Sequence, residues 1–206
     1  MLLEACVENL AEAIKAEELG ADRVELCENL HVGGTTPSAG TIYVACQVLK
    51  IPVMVLVRPR GGNFVYSKFE IDVMKKDIDL CRKYKASGVV IGALTSERKI
   101  DIPLMKYLVS YARPMQITFH KAIDETSGIL AEFEKLAELD IDRVLTSGGY
   151  ATATEGADMI NNMVKIAGHD FKVMAAGQIS NVNLEEAKKK LKTDEFHGRR
   201  IVGRLF

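Results

Sequence analysis

Two stretches with a shared beginning decide the fold: residues 19–29 read LGADRVELCEN, and residues 139–149 read LDIDRVLTSGG. In each, Asp-Arg-Val opens a short, largely apolar run, which is typical of a buried β-strand. They stand second and sixth among eight such runs, and this placement indicates half-barrel symmetry. The eight runs are LLEACVE (2–8), DRVELCE (22–28), VMVLVRP (53–59), GVVIGAL (88–94), QITFHKA (116–122), DRVLTSG (142–148), KVMAAGQ (172–178) and EFHG (195–198).

Helical patterns separate these runs. The helix-start signals are Asn9 with Glu12, Thr36 with Pro37, and the capping-box pair Ser67 with Glu70. A stripe at helical spacing includes Cys81, which we expect in the core. The alternation predicts an α/β fold, a single (β/α)8 TIM barrel over residues 1–206. The rival is an open doubly wound sheet, but no GxGxxG or GxxxxGK[ST] motif follows any strand.

The tail sets a further expectation, because only IVGRLF follows the sequence FHGRR. The last helix of the barrel should therefore be short or missing. We expect the seam between the eighth and first strands to be covered by another chain or by the N-terminus. A homodimer or higher homo-oligomer follows from this expectation.

Composition excludes several classes of function. The 206 residues are 48% hydrophobic and 27% charged, and their formal net charge is −1, so no basic field attracts nucleic acid or an anionic membrane. No apolar run approaches the roughly 20 residues of a membrane span, and the start MLLEACVEN lacks the features of a signal peptide. We expect a cytoplasmic protein. Its four cysteines form no CxxC motif and should be reduced thiols.

Side chains point alternately to the two faces of a strand, so every second residue points into the barrel and the others face the helices. We assign the polar phase to the interior. The inward residues are then Glu4, Cys6 and Glu8; Arg23, Glu25 and Cys27; Met54, Leu56 and Arg58; Gln116, Thr118 and His120; and Arg143, Leu145 and Ser147. Buried charges are costly unless they are paired, so we expect Glu4, Arg23 and Arg143 to neutralise one another near the bottom of the barrel.

The strand ends suggest an anion site. Arg58 and Arg60 flank a proline and precede two glycines, so two guanidinium groups are candidates to clamp a carboxylate or phosphate. Alternatively, these arginines pair with Glu8 and Glu25. Further candidate ligand contacts at the same mouth are Glu8, Ser147, Gly148, Gly149 and Gly177.

His120 ends the segment TFH on the inward phase. A histidine there suits proton transfer, with Glu25 or Asp124 as the partner that orients it. The alternative is a hydrogen-bonded structural histidine.

Six segments together resemble the copper homeostasis protein CutC family, a set of cytoplasmic TIM barrels. They are LEACVEN (3–9), GADRVELCENLHVGGTTPS (20–38), PVMVLVRPRGGNFVYS (52–67), GVVIGAL (88–94), ITFHKAID (117–124) and RVLTSGG (143–149). The resemblance implies a role in copper homeostasis, dimerisation, and Cu(I) ligation by Cys6 and Cys27, which alternation also turns inward. Thiolates suit Cu(I), although free cysteines also serve as buried core residues.

Two segments depart from the family pattern: the glycine-rich GGGI reads AAGQI (175–179), and FHxSAR reads FHGRR (196–200). Both lie where a barrel would cradle phosphate. Two functions follow from the sequence. The first is a copper-binding protein that uses Cys6 and Cys27. The second is an isomerase- or lyase-type enzyme acting on a small anionic metabolite, with Arg58 and Arg60 as the clamp and His120 as the proton-transfer group.

Overall fold

Eight parallel strands close into a barrel in the computed structural model, which describes residues 1–168 and 171–206. Neighbours in the chain are neighbours in the sheet, and the eighth strand pairs with the first. The strands are β1 (Leu2–Val7), β2 (Arg23–Leu26), β3 (Val53–Leu56), β4 (Gly88–Ile91), β5 (Gln116–Phe119), β6 (Arg143–Thr146), β7 (Lys172–Ala175) and β8 (Glu195–Gly198). The prediction of a (β/α)8 barrel is confirmed.

Seven α-helices lie outside the strands in the described part of the chain. They are α1 (Leu10–Glu18), α2 (Ala39–Val48), α3 (Lys68–Lys83), α4 (Ile102–Ala112), α5 (Ile129–Ala137), α6 (Ala157–Ala167) and α7 (Leu184–Lys190). Each follows the strand of the same number. Residues 199–206, which follow β8, form turns instead of an eighth helix, as expected.

Two of the three predicted helix starts are confirmed. The Asn9 side chain accepts a hydrogen bond from the Glu12 N–H at the start of α1. Ser67 and Glu70 form a reciprocal capping box at α3. The third prediction was wrong, because α2 is capped by Ser38 instead of starting at Thr36 and Pro37. The Thr36 hydroxyl is used elsewhere: it accepts the backbone N–H of Arg58 and ties the loop after β2 to the end of β3.

The main hydrophobic core lies between the outer face of the barrel and the helices. Cys81 belongs to it and is fully buried, as its helical stripe predicted. The chain's own tail also contributes to this core, since Ile201 and Leu205 are both buried in it. The expectation that another chain or the N-terminus covers the seam stays a prediction. Gly203 of the same tail lies beside Leu19 at the end of α1.

A smaller apolar cluster fills the inside of the barrel. It consists of Cys6, Cys27, Met54, Leu56 and Val90, with Leu30 packed against it. The first four come from β1, β2 and β3 or from the position that follows the strand, on the phase assigned to the interior, and Val90 comes from β4. The predicted inward phase is therefore confirmed for β1, β2 and β3.

Candidate metal centre

A cavity of about 200 Å³ opens at the C-terminal ends of the strands. It is lined by Cys6, Glu25, Cys27, Leu30, Gly33, Leu56, Arg58, Phe64, His120, Lys121, Leu145 and His197. Active sites of TIM barrels occupy this face because the loops that follow the strands converge there. Residues of several strands that were predicted to point into the barrel thus line the same cavity.

Two thiols form the sulfur-rich wall of this cavity. The Sγ atoms of Cys6 and Cys27 are 3.8 Å apart, and the Cys27 thiol donates to the carbonyl oxygen of Val7 at 3.4 Å. Both side chains are buried. Hydrogen bonding to Cys27, burial and the nearby Glu25 carboxylate raise the pKa of Cys6 well above its ordinary value. Without a bound cation, Cys6 is therefore a protonated thiol.

The other two cysteines lie away from the cavity. Cys81 is part of the main core, and Cys46 packs against it from α2. Burial raises the pKa of Cys46 to about 11 and that of Cys81 to about 12. Neither is a reactive thiol at neutral pH.

His197, which was not among the candidates predicted from the sequence, lies close to Cys6. Its Nδ1 lies 2.8 Å from Glu4 Oε1, and its Nε2 lies 3.5 Å from Glu25 Oε2. Ligand atoms of Cys6, Glu25 and His197 all fall within 4.8 Å of one another. Burial by itself lowers the pKa of His197, but hydrogen bonding to Cys6 and Glu4 and the charge of Glu25 raise it well above its ordinary value.

Strand register explains why Glu4 reaches His197. Glu4 is paired with Arg23 of β2 on one side and with His197 of β8 on the other. Its carboxylate forms ion pairs with both side chains. Burial by itself raises the pKa of Glu4, but the hydrogen bond with His197 and the charge of Arg23 lower it to about 2. Glu4 is therefore ionised at neutral pH, and its carboxylate lies next to Nδ1 of His197.

A charge network below this site completes the polar interior. Arg23 pairs with Glu4 and, at 2.7 Å, with Glu195, which also lies 3.3 Å from Arg143. The predicted pair of Glu4 and Arg23 is present. Arg143 joins it only through Glu195 of β8, which is the second carboxylate that balances the two guanidinium groups. All four side chains are buried.

His120 lines the opposite side of the cavity. Its Nδ1 accepts the N–H of Ala122 at 3.2 Å, and its Nε2 has no hydrogen-bond partner among the described residues. Burial, together with the charge of Arg58, lowers the pKa of His120 to about 3. The imidazole is therefore neutral at physiological pH. Because Nδ1 is an acceptor, the proton resides on Nε2.

The group that orients His120 is neither of the two that were expected from the sequence. The backbone of Ala122 holds the ring, whereas Asp124 and Glu25 do not hydrogen-bond to it. Asp124 instead accepts the N–H and hydroxyl of Ser147, both at 2.9 Å, and the N–H of Gly149 at 3.0 Å. It organises the turn after β6.

Arg58 and Arg60 are separated by the fold. Arg58 is buried, and it donates to the carbonyl oxygens of Val32, Gly34 and Gly62, so it joins the loops that follow β2 and β3. Its guanidinium lies 4.7 Å from the centre of the Phe64 ring. Arg60 lies outside the cavity lining and is bound by Glu70, Asn63 and carbonyl oxygens of its own loop. The two side chains do not form one clamp.

The remaining candidate contacts, Glu8, Ser147, Gly148, Gly149 and Gly177, are not among the residues that line the cavity. Lys121 donates to the Ser147 hydroxyl at 2.7 Å. Gly177 has φ +111°, and a Cβ there would lie 2.8 Å from the Cβ of Ser147, so close packing of the turns after β6 and β7 requires glycine. Glu8 accepts the N–H of Leu30 and pairs with Arg199 at 3.0 Å. A Cβ on Gly148 would lie 2.7 Å from the Gly156 carbonyl oxygen, so this glycine is needed for packing between turns.

The two segments that depart from the family pattern meet in a wider depression of about 700 Å³ beside the cavity. Gln178, Arg199 and Arg200 line it. Gln178 adopts φ +56°, a left-handed conformation that glycine accommodates more easily.

No described helix is long and apolar enough to be a candidate membrane span.

Fold and site together define a class: a TIM barrel whose mouth carries a buried pair of thiols beside a carboxylate-bound histidine. Over residues 1–202 the chain matches the model of the CutC family, and it belongs to that family. It is 44% identical over 196 residues to the Homo sapiens copper homeostasis protein cutC homolog, covering 95% of this chain and 72% of the relative.

Two bacterial proteins give similar matches. A CutC family protein from Xanthomonas campestris pv. campestris (strain 8004) is 39% identical over 197 residues, covering 96% of this chain and 82% of the relative. The crystal structure of a Streptococcus agalactiae protein described as a copper homeostasis protein CutC superposes with a TM-score of 0.92 at 34% identity. That superposition covers 98% of this chain and 99% of the other.

Proposed function

We propose that this chain is a cytoplasmic copper homeostasis protein that binds Cu(I) through Cys6 and Cys27. The observation that carries the proposal is the pair of buried Sγ atoms, 3.8 Å apart, on the wall of the cavity at the barrel mouth. The human relative and the Streptococcus agalactiae protein are both named for copper homeostasis, which supports the same function.

The donor chemistry supports this proposal. Cu(I) is a soft ion that prefers thiolate and thioether sulfur to carboxylate oxygen. Both thiols reach the cavity from adjacent strands, and the apolar side chains of Met54, Leu56 and Val90 surround them. Cu(I) would displace the thiol protons on binding, because the thiolate is the ligand. Copper is the cargo of the protein in this proposal, and the proposal includes no catalytic turnover.

A competition titration tests the proposal. Cu(I) is titrated anaerobically into the reduced protein against a chromophoric Cu(I) chelator, with wild type, Cys6→Ser/Cys27→Ser and the matched control Cys46→Ser. We expect one high-affinity Cu(I) per wild-type and control chain and none in the double variant. Equal stoichiometry and affinity in the double variant would contradict the proposal.

A second candidate function is favoured by a separate observation. His120 Nε2 and Arg58 Nε are buried nitrogens at the cavity wall that have no hydrogen-bond partner among the described residues. Unpaired buried donors are costly, so an oxygen-bearing ligand that pairs with them would bind favourably. This second proposal is an enzyme of isomerase or lyase type acting on a small anionic metabolite, with His120 as a neutral donor.

A thermal-shift screen of small carboxylates and phosphates tests the second candidate. We expect at least one compound to raise the melting temperature of wild type and to have no effect on His120→Asn. If none stabilises wild type, or if the shift is the same in both proteins, the enzyme proposal is abandoned.

The same preparations, analysed by light scattering, test the prediction of a homodimer or higher homo-oligomer.

A further inference from the structure

The two thiols lie closer together than a straight two-sulfur site requires. A d10 ion such as Zn²⁺ binds thiolate sulfur at about 2.3 Å, so two sulfurs on opposite sides of one such ion lie about 4.6 Å apart. In this protein the Sγ atoms of Cys6 and Cys27 are 3.8 Å apart. A single ion bound to both therefore leaves one side open to a further donor.

His197 is a nitrogen donor close to Cys6. Its ligand atom lies within 4.8 Å of those of Cys6 and Glu25, and all three side chains are buried. The ring is aimed by its other nitrogen, Nδ1, which is 2.8 Å from Glu4 Oε1. With Nδ1 held by Glu4, Nε2 is the nitrogen that faces Glu25, and the ring also interacts with the thiol of Cys6.

Glu4 has the position of the carboxylate that commonly supports a metal-binding histidine. Such carboxylates accept the N–H of the non-ligating nitrogen and so fix both the tautomer and the ring orientation. Glu4 is in turn held by Arg23, which also binds Glu195. The histidine is therefore oriented by a chain of buried ion pairs that crosses from β8 to β1 and β2.

We propose that His197 is the third Cu(I) ligand, through Nε2, which releases its proton to solvent when the ion binds, and that Glu4 is its positioning residue. The inference rests on the proposed Cu(I) function and adds a nitrogen to the two sulfurs. Imidazole is an accepted copper ligand, whereas the Glu25 carboxylate is a hard donor that Cu(I) does not favour. The site is thus a buried two-sulfur, one-nitrogen centre.

X-ray absorption at the copper edge of the Cu(I)-loaded wild-type protein tests this inference without any variant. We expect two sulfur scatterers and one nitrogen with the multiple-scattering pattern of imidazole. A first shell of two sulfurs alone would overturn the inference and leave the thiol proposal standing. A first shell without sulfur would overturn the thiol proposal itself.

Variants then assign the imidazole. In His197→Gln we expect the imidazole pattern to disappear while both sulfurs remain, and Cu(I) affinity to fall at least ~10-fold. Glu4→Gln should keep the imidazole but weaken binding by roughly 10- to 100-fold, as is typical when a supporting carboxylate is lost. His31→Gln is the matched control, because His31 is exposed, and it should leave spectrum and affinity unchanged. An imidazole pattern that persists in His197→Gln would overturn the assignment.

Discussion

Acid should destabilise this protein through His120, a buried histidine that stays neutral in the folded state. Burial and the charge of Arg58 lower its pKa from 6.5 to about 3. In the unfolded chain the imidazole regains its ordinary pKa. Below pH 6.5 it is therefore protonated in the unfolded state, whereas it stays unprotonated in the folded state. His120 therefore favours folding above its unfolded-state pKa, and this contribution is lost as the pH falls from 6.5 toward 3.

The magnitude follows from those two values. At pH 5 the unfolded-state imidazole is almost fully protonated and the folded-state imidazole is not. Integrating the linkage relation from pH 8 to pH 5 gives a loss of about 2 kcal/mol in the free energy of unfolding from this residue alone. Glu4, whose pKa is about 2, adds an acid-induced loss only below its unfolded-state value of 4.5. The window from pH 6.5 to 5 thus isolates His120 from Glu4.

Urea unfolding at pH 8, 7, 6 and 5 measures this contribution in wild type, His120→Asn and the exposed control His31→Gln. Asn retains an oxygen that can accept the Ala122 N–H, so the helical turn after β5 keeps its cap. Only the pH dependence is compared, because the smaller side chain lowers stability at every pH. Wild type and His31→Gln should lose about 2 kcal/mol more than His120→Asn between pH 8 and pH 5. Parallel pH profiles for wild type and His120→Asn would refute the reasoning.

Three further substitutions test the packing and charge balance around the site, each by urea unfolding at pH 7.5. Glu195→Gln leaves the buried Arg23 with one carboxylate partner fewer and should cost about 3 kcal/mol or more, so a loss below about 1 kcal/mol would contradict the network. Gly92→Ala places a Cβ 2.5 Å from Cε1 of His120 and should cost about 1–3 kcal/mol; an unchanged stability would show that the ring can move aside. Ser67→Ala removes the α3 cap and should cost about 1 kcal/mol, and no loss would mean that water replaces the cap.

Strand periodicity predicted most of the site. Because side chains alternate along a strand and the helix-facing side of a barrel is apolar, the polar phase identified Cys6, Cys27 and His120 as cavity residues. His197 was missed, although the same alternation in EFHG turns Glu195 and His197 inward together. The signal was present in the eighth run, but that run was too short to be given a phase.

The partners of the arginines were not predictable in the same way. Arg58 is bound by three loop carbonyl oxygens, and Arg60 by Glu70 and loop groups. Loop paths depend on tertiary packing and carry no periodicity. For the same reason, the cap of α2 was predicted too early in the chain, at Thr36 instead of Ser38.

The position of bound copper tests the central claim most directly. Crystals of the reduced protein loaded with one equivalent of Cu(I) would be measured above and below the copper absorption edge. We expect a single strong anomalous peak inside the barrel, bonded to the Sγ atoms of Cys6 and Cys27. A strong peak at Cys46, at a surface methionine or at any other place, with none between these two thiols, would contradict the account.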